Sequence, residues 1–290
     1  MGFVQALQAI AQRQKSMLCV GLDPDPVRFP TPWQNDPSHI YDFCAAIVDA
    51  TRDLVCAFKP QIAYFAAHRA EEQLERLIHH MHRVAPDVPV ILDAKRGDIG
   101  STATQYAIEA FERYQADAVT LSPYMGFDSI EPYMAYPDKG LILLCRTSNA
   151  GGSDLQAQSV SRNQGASTEL LYEYVARLAA GPWNRHGQLG LVVGATFPEE
   201  LSRIRAIAPH LPLLVPGVGA QGGDANAVVR AAYTTTTPNQ PHGPLMVNSS
   251  RAILYASSGP DFAPAARAVA QATQLQLAQS LAALSPASSR

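Results

Sequence analysis

A short charged segment with the sequence DAKRGD, residues 93–98, directly follows an apolar run at 88–92. Asp93 and Lys95 are two positions apart, so on a strand their side chains project from the same face. These charges could form a functional site, or they could form an ion pair that only closes the end of a strand. Burying a charge costs several kcal/mol, however, and one pair rarely recovers that cost. Several clustered charges therefore favour a functional site.

Three other apolar runs also end on a polar group. Asp23 follows the first run, Lys59 closes the second, and Ser148 comes just after another. Each has a structural explanation: the aspartate caps a turn before a proline, the lysine stem extends to the rim, or the serine starts a turn. Ser148 also stands at the base of a long polar loop, 147–166, and loops of that length are often functional. For each residue, this structural role and a role in a functional site both stay open.

The glycine-rich segment 217–223 fits the pattern G-x-G-x-x-G. A dinucleotide site is not favoured, because the pattern lies late in the chain and no acidic residue occurs between Asp224 and Asp261 to hold a ribose. A glycine-rich loop before a helix can still bind one phosphate through its backbone N–H groups. Arg251 follows the next apolar run and can add a bidentate contact. The two segments together predict a phosphate site.

The elements that must position these residues are short apolar runs, each followed by a helix-like stretch. Eight runs are predicted to be strands: 17–22, 55–59, 88–93, 118–122, 140–146, 190–194, 213–216 and 245–247. Continuous apolar strands that alternate with helices indicate a parallel sheet buried on both faces. Eight units favour a closed barrel, whose active site lies at the carboxyl ends of the strands. We expect an α/β fold, a (β/α)8 TIM barrel forming a single domain over residues 1–290.

Helices are predicted between these strands. The clearest lies between Arg69 and Pro86, where apolar residues recur at steps of three and four while charged residues occupy the other face. The other predicted helices are 40–52, 102–114, 168–180, 198–208, 224–232 and 262–284. The segment 234–243, rich in threonine, is expected to be a loop, and whether it contacts phosphate stays open.

Composition excludes several classes of protein. The 290 residues are 47% hydrophobic and carry a net charge of −3, so we expect a globular core and no nucleic-acid partner. The four cysteines fit neither a disulfide scaffold nor a zinc site, and His79 and His82 are expected to be surface residues. We find no signal peptide and no run long enough to span a membrane, and we expect a cytoplasmic protein.

The run from Leu92 to Thr102 (LDAKRGDIGST) resembles the signature of orotidine 5′-monophosphate decarboxylases. The segments 58–60, 216–222 and 248–251 match the family's other landmarks in order. The resemblance covers nearly the whole chain, and the sequence Thr-Ser-Asn at 147–149 resembles the longer bacterial subgroup, type 2. It implies a carboxy-lyase that converts orotidine 5′-monophosphate to uridine 5′-monophosphate and CO2, the last step of de novo pyrimidine nucleotide biosynthesis, without metal or organic cofactor.

The resemblance also implies roles for four charged residues. Lys95 would stabilise the carbanion-like state at C6 of the pyrimidine and donate the proton that replaces the carboxylate. Asp93 would lie close to that carboxylate, and Lys59 and Asp98 would complete an alternating Lys–Asp–Lys–Asp array. This chemistry suits the residue types, because a fixed cation beside the carbon stabilises the developing charge and can then protonate it.

The remaining implied residues bind the substrate, partly across a homodimer. Asp23 and Lys59 would hold ribose hydroxyls, and Ser148 would contact the pyrimidine. The implied phosphate ligands are Gln221, Ser250 and Arg251, and the residues implied to reach across from a partner subunit are Asp98, Ile99 and Thr102.

Two other functions remain as alternatives. One is a metal-dependent sugar-phosphate decarboxylase or synthase of the same barrel superfamily, in which residues around the D-x-K-x-x-D core differ. The other is a non-catalytic nucleotide-binding protein on the same scaffold. Retention of both lysines, Lys59 and Lys95, together with Asp93 and Asp98, argues against the second.

Overall fold

The computed structural model describes residues 1–162, 167–217, 224–233 and 242–284. Ten strands are present in these ranges: β1 (Leu18–Leu22), β2 (Ala57–Pro60), β3 (Ile91–Arg96), β4 (Ala118–Leu121), β5 (Gly140–Arg146), β6 (Ser159–Arg162), β7 (Ser167–Leu170), β8 (Leu189–Val193), β9 (Leu213–Pro216) and β10 (Leu245–Ser249). All except β6 and β7 belong to one parallel sheet.

Eleven α-helices occur in the same ranges: α1 (Phe3–Gln14), α2 (Ile40–Thr51), α3 (Ile62–Ala66), α4 (Glu71–Val84), α5 (Gly100–Ile108), α6 (Gly152–Leu155), α7 (Leu171–Ala180), α8 (Pro198–Ile207), α9 (Ala225–Tyr233), α10 (Arg251–Leu254) and α11 (Phe262–Ala282). Short 3-10 segments cover Pro26–Arg28, Thr31–Trp33, Pro37–His39, Phe127–Ser129 and Glu131–Ala135, and a π-helical turn covers Glu109–Arg113. None of these helices has the length and apolarity that a membrane span would need.

The eight-stranded sheet has the order β2-β1-β10-β9-β8-β5-β4-β3. Its two end strands, β2 and β3, are joined by parallel bridges between Phe58 and Val90 and between Gln61 and Asp93. The sheet therefore curls into a nearly closed barrel with helices on the outside, which confirms the predicted fold class. All carboxyl ends of the strands lie at one rim.

Burial explains why these segments form strands and outer helices. Every residue of β1 and β8 is buried, as expected for strands covered on both faces. The predicted apolar stripe of α4 faces the core, with Leu74, Leu77 and Met81 fully buried. The acidic pair at the start of α4 and the basic residues in its last turn also suit the helix dipole.

Some predicted boundaries were wrong. The strand predicted to end at residue 93 continues to Arg96, because its backbone still pairs with β4 there. The helix predicted over 168–180 begins only at Leu171, since the preceding residues form β7, which pairs antiparallel with β6. The loop 147–166 thus contains α6 and one strand of a hairpin, although 163–166 lie outside the described residues.

The loop predicted at 234–243 leads from α9 into the start of β10. Residues 234–241 lie outside the described residues, but those on either side are described. The rings of Tyr233 and His242 are 5.7 Å apart, and both line a cavity with Met17, which precedes β1. These flanking residues lie at the amino-terminal end of the barrel, opposite the rim that carries Asp93.

The amino-terminal helix α1, which the sequence pattern did not predict, packs against this lower end. Phe3, Leu7 and Ile10 are buried, and the backbone N–H of Phe3 donates to the carbonyl of Asp138 at 2.8 Å. A Cβ atom at Gly140, the first residue of β5, would overlap the Phe3 ring. Gly140 therefore allows α1 to approach the barrel closely.

We expect Gly140→Ala to lower the free energy of unfolding by about 1–3 kcal/mol, because the added methyl group overpacks the contact with Phe3. Gly151→Ala is the matched control, since a Cβ there meets nothing closer than 3.7 Å and its φ of −64° suits alanine. The Gly151→Ala substitution should change the free energy of unfolding by no more than about 0.5 kcal/mol. Urea unfolding measures both variants, and equal stabilities would contradict the proposed packing.

Candidate active site

A carboxylate shared between two lysines lies at the rim of the barrel. Lys59 at the end of β2 donates from Nζ to Oδ2 of Asp93 at 2.7 Å, and Lys95 donates from Nζ to Oδ1 at 2.6 Å. Each carboxylate oxygen therefore faces its own ammonium group. These contacts bring together three of the residues that the sequence predicted to form one site.

The three groups differ in exposure. Lys59 and Asp93 are buried, at 4% and 7% exposed, whereas the side chain of Lys95 is 46% exposed. Burial alone would raise the pKa of Asp93, but the charges of Lys59 and Lys95 outweigh it and hold that pKa well below its usual range. Burial would lower the pKa of Lys59, yet the nearby carboxylates, chiefly Asp93, raise it instead. The buried pair is therefore ionised.

The backbone at Lys95 is in the left-handed region, with φ of 49°. This conformation is costly for a residue with a side chain. The ladder between β3 and β4 shifts register between Leu92 and Arg96, so the strand bulges at this point. The simple alternation used to predict convergence of Asp93 and Lys95 does not extend through the bulge, but their side chains still meet.

Sequence reasoning missed Thr120, a buried residue of β4. Its hydroxyl donates to Oδ1 of Asp93 at 2.9 Å and accepts the backbone N–H groups of Ala94 and Lys95, each at 3.0 Å. A hydroxyl residue within the otherwise apolar run of β4 was the available signal. That signal is weak, because threonine is common in strands.

Two buried acceptors lie at the same rim of the barrel. Oδ1 of Asp23 and Oδ1 of Asn248 are buried and have no hydrogen-bond partner within the described part of the chain. The charge of Asp23 also helps to raise the pKa of Lys59, so the two groups are close. A Cβ at Gly21 would overlap the hydroxyl of Ser250, so this glycine leaves room for polar groups. Such acceptors suit hydroxyl donors of a ligand.

The predicted phosphate ligands are only partly described. Gln221 lies outside the described residues. Arg251 is exposed and begins α10, and Ser250 precedes it beside Asn248, whose Nδ2 donates to the Ser250 hydroxyl at 3.3 Å. Gly217, where the glycine-rich segment starts, has φ of 101°, a conformation that glycine adopts readily. Ser250 and Arg251 thus stand at the predicted rim.

Ser148 lies at the rim directly after β5. A Cβ at Gly194, just past β8, would come within 2.8 Å of the Ser148 Cα, so the glycine permits close approach of the two strand ends. The Thr196 hydroxyl also donates to the backbone carbonyl of Ser148 at 3.5 Å. The backbone of Ser148 is therefore held in place between two strand ends.

The root of the long loop is held by Arg146, a second residue that sequence reasoning missed. Arg146 is buried, and its guanidinium pairs with Glu200 of α8 and donates to the Ser153 hydroxyl of α6 at 2.9 Å. Gln156 accepts the backbone N–H of Thr147 at 2.9 Å. An arginine within an apolar strand was the available signal. These contacts fix α6 over the end of β5, next to Ser148.

Asp98, Ile99 and Thr102 do not join the lysine cluster within one subunit. Asp98 Oδ1 accepts its neighbouring backbone N–H, that of Ile99, at 2.8 Å. Ile99 is 52% exposed and Thr102 is exposed. Within the described ranges, no hydrogen bond or ion pair links Asp98 to Lys59 or Lys95. Ile99 and Thr102 are thus exposed at the start of α5, and the half-buried Asp98 directly precedes them.

The other polar clusters do not suggest a metal centre. Across the residues that the structure describes, no three His, Cys, Asp or Glu side chains are arranged to hold a metal ion. His79 is exposed, as predicted, whereas His82 is half-buried and contacts Asp117 at 3.1 Å. The four cysteines are free and buried.

Residues 16–268 match the model of the orotidine 5′-phosphate decarboxylase / HUMPS family. The chain belongs to this family. Proteins named orotidine 5′-phosphate decarboxylase include one from Paracidovorax citrulli, which is 68% identical over 94% of this chain and 97% of its own length. Another from Methylibium petroleiphilum is 67% identical over 96% of this chain and 99% of its own.

A solved structure of the orotidine 5′-phosphate decarboxylase family shares the fold. That of Leishmania donovani OMP decarboxylase superimposes with a TM-score of 0.78 at 38% identity, covering 96% of this chain and 99% of that one. The predicted resemblance to orotidine 5′-monophosphate decarboxylases is therefore confirmed.

The shared carboxylate should couple stability to pH. The folded pKa of Asp93 lies below its unfolded value of about 4, so the ionised group contributes stability above about pH 4 and loses it as pH falls through the folded pKa. At pH 7 we expect Asp93→Asn to lower the free energy of unfolding by about 3 kcal/mol, because the buried Lys59 loses its counterion. The difference in the free energy of unfolding between wild type and Asp93→Asn should shrink as the pH falls below about 4.

Urea unfolding between pH 3 and pH 7 measures this difference. Asp53→Asn removes an equal charge from a carboxylate that pairs with Arg267 at the surface, and it serves as the control. Its effect should stay below about 1 kcal/mol. A difference between wild type and Asp93→Asn that does not vary with pH would argue against an ionised Asp93.

Proposed function

We propose that this protein decarboxylates orotidine 5′-monophosphate to uridine 5′-monophosphate and CO2, as a carboxy-lyase in the last step of de novo pyrimidine nucleotide biosynthesis. The observation that carries the proposal is the Asp93 carboxylate shared by two lysines, of which Lys95 extends into the open rim. Family membership, and identity of more than 65% to proteins named orotidine 5′-phosphate decarboxylase, support the same reaction.

The proposed chemistry centres on Lys95. When the bond from C6 to the carboxylate breaks, the electron pair stays on C6 in an orbital that lies in the plane of the ring. The Lys95 ammonium stabilises this charge and then transfers its proton to C6, after which the lysine regains a proton from solvent. Asp93 holds that ammonium in place before substrate arrives. A substrate carboxylate near Asp93 also meets like-charge repulsion, which ends when CO2 leaves.

The surrounding residues are proposed to bind the rest of the nucleotide. Asp23 and Lys59 would hold ribose hydroxyls, and the unpartnered Oδ1 of Asp23 supports this role. Ser148 would contact the pyrimidine. Arg251 and Ser250, with Gln221, would bind the phosphate. Binding energy from this remote phosphate can offset the cost of ordering the active-site loops.

We also propose a homodimer with shared active sites, formed by a single-domain chain in the cytoplasm. Asp98, Ile99 and Thr102 would reach into the site of the partner subunit. The exposure of Ile99 and Thr102 supports this arrangement. So does the lack, among the described residues, of a hydrogen bond or ion pair between Asp98 and the lysines of its own subunit. The dimer would thus place a fourth charge beside Lys95.

A metal-dependent sugar-phosphate enzyme of the same barrel superfamily is the nearest alternative, and the matching family is described jointly as orotidine 5′-phosphate decarboxylase / HUMPS. The DAKRGD segment keeps both carboxylates and the lysine of the D-x-K-x-x-D core. The curated relatives that are 67% to 68% identical carry the decarboxylase name. A non-catalytic nucleotide-binding protein would have no need for two lysines on one buried carboxylate.

Ultraviolet absorbance of orotidine 5′-monophosphate, followed with purified protein and EDTA, tests the reaction. We expect decarboxylation at the same rate with and without the chelator. Lys95→Ala should lower kcat by about 10³-fold or more, because it removes both charge stabilisation and proton transfer. Lys139→Ala, at the opposite end of the barrel, is the control and should keep full activity. No reaction, or reaction only after metal is added, would refute the proposed function.

Subunit complementation tests the shared site. Lys95→Ala and Asp98→Ala should each be nearly inactive alone. When mixed and allowed to exchange subunits, they should regain up to about a quarter of wild-type activity, because half of the dimers are mixed and each has one intact site. Native mass spectrometry confirms the exchange. Confirmed heterodimers without recovered activity would contradict the shared site.

A further inference from the structure

We propose that Thr120 is the positioning residue that sets the geometry of the Asp93–Lys95 pair. Its hydroxyl makes three hydrogen bonds within the catalytic segment: to the Asp93 carboxylate and to the backbone N–H groups of Ala94 and Lys95. Thr120 is 1% exposed, so none of these bonds competes with solvent. The inference rests on the proposed function, because it assigns Thr120 a role in the same reaction.

The backbone of Lys95 is supported by the Thr120 hydroxyl. The regular β3–β4 ladder is interrupted between Leu92 and Arg96, so the N–H groups at the bulge need another acceptor. The Thr120 oxygen accepts two of them at once. Because the left-handed conformation of Lys95 is unfavourable on its own, it persists only while neighbouring contacts enforce it. Thr120 supplies two of these contacts.

The Thr120 hydroxyl proton points in one direction, toward Asp93. Two N–H donors already occupy the acceptor sites of the Thr120 oxygen, so its own hydrogen is directed to Oδ1 of Asp93. A protonated Oδ1 could not donate back to Thr120. The hydroxyl therefore favours the ionised carboxylate, and it contacts the same oxygen that the Lys95 ammonium does. Its removal affects the Asp93–Lys95 contact directly.

Contacts on both sides of the Asp93–Lys95 pair limit how far the loss of the Thr120 hydroxyl can disturb the segment. Beyond Lys95, the segment has its own anchors: Arg96 pairs with Glu109 through two hydrogen bonds of 3.0 and 3.1 Å, and its carbonyl accepts the N–H of Ser122 at 2.7 Å. On the other side, Oδ2 of Asp93 keeps Lys59. The disturbance should therefore be confined to the position of the Lys95 ammonium and the orientation of one carboxylate.

A matched set of variants tests this role. Thr120→Val keeps the shape of the side chain but removes the hydroxyl. Thr120→Ser keeps the hydroxyl and removes only the methyl group. We expect kcat for orotidine 5′-monophosphate to fall roughly 10- to 100-fold in Thr120→Val, since misplacement by about 1 Å can cost that much. Thr120→Ser should stay within about threefold of wild type. The Kd of uridine 5′-monophosphate should change less than about threefold in both, because ribose and phosphate contacts lie elsewhere.

Thr51→Val is the control for loss of a buried hydroxyl. Thr51 is fully buried in α2 and donates to the Ile47 carbonyl at 2.7 Å, away from the rim. The Thr51→Val variant should therefore have the same kcat as wild type. If Thr120→Val does not fold, Thr120→Ala replaces it and should show the same loss of kcat. Wild-type kcat in Thr120→Val or Thr120→Ala, or equal loss in Thr120→Ser, would overturn the proposal.

A crystal structure of Thr120→Val provides a readout that does not depend on activity. We expect the Nζ of Lys95 to lie beyond hydrogen-bonding distance of Asp93, or its φ to leave the left-handed region. An unchanged segment would overturn the positioning role even if kcat fell. Inactive wild-type protein would instead overturn the proposed function, and the crystal structure would still decide whether Thr120 positions Lys95.

Discussion

The site depends on one buried carboxylate that two ammonium groups share. Asp93 is 7% exposed, and an isolated carboxylate so deeply buried would become neutral. Lys59 and Lys95 keep it ionised, and in turn the carboxylate allows Lys59 to stay charged inside the barrel. The three groups are therefore interdependent. Once the carboxylate is fixed, the position of each lysine is fixed as well, and little reorganisation is needed when charge develops nearby.

The barrel makes this arrangement possible because it brings strand ends together from distant parts of the sequence. Lys59 and Asp93 come from the strands β2 and β3, which meet where the sheet closes. Close approach at the rim depends on small residues: Gly21 leaves room for the Ser250 hydroxyl, and Gly194 admits the backbone of Ser148. Polar groups fill the space that larger side chains would occupy. Among the described residues, Oδ1 of Asp23 and Oδ1 of Asn248 are buried there without a hydrogen-bond partner, which suits the proposed binding of a ligand.

The sequence predicted those parts of the site that follow from periodicity and motif. Apolar runs ending on Asp23, Lys59 and Asp93 located the rim, since buried parallel strands are continuous in hydrophobicity. Thr120 could not be recognised in this way, because its role depends on a bulge in the neighbouring strand that local sequence does not reveal. Helix α1 was also missed. It is held by the packing of Phe3 against Gly140, a contact between residues far apart in the chain.

The charges around Lys95 are consistent with the proposed dimer, in which one subunit alone would give an incomplete site. Its side chain is half exposed, and the carboxylate beside it is already shared with Lys59. The Lys59–Asp93–Lys95 cluster thus carries one positive charge in excess, although Asp23 lies close to Lys59. An exposed ammonium with a half share of a counterion attracts a further anion. A second carboxylate from a partner subunit and the carboxylate of a bound nucleotide both suit this position, and they would lie on either side of the same ammonium.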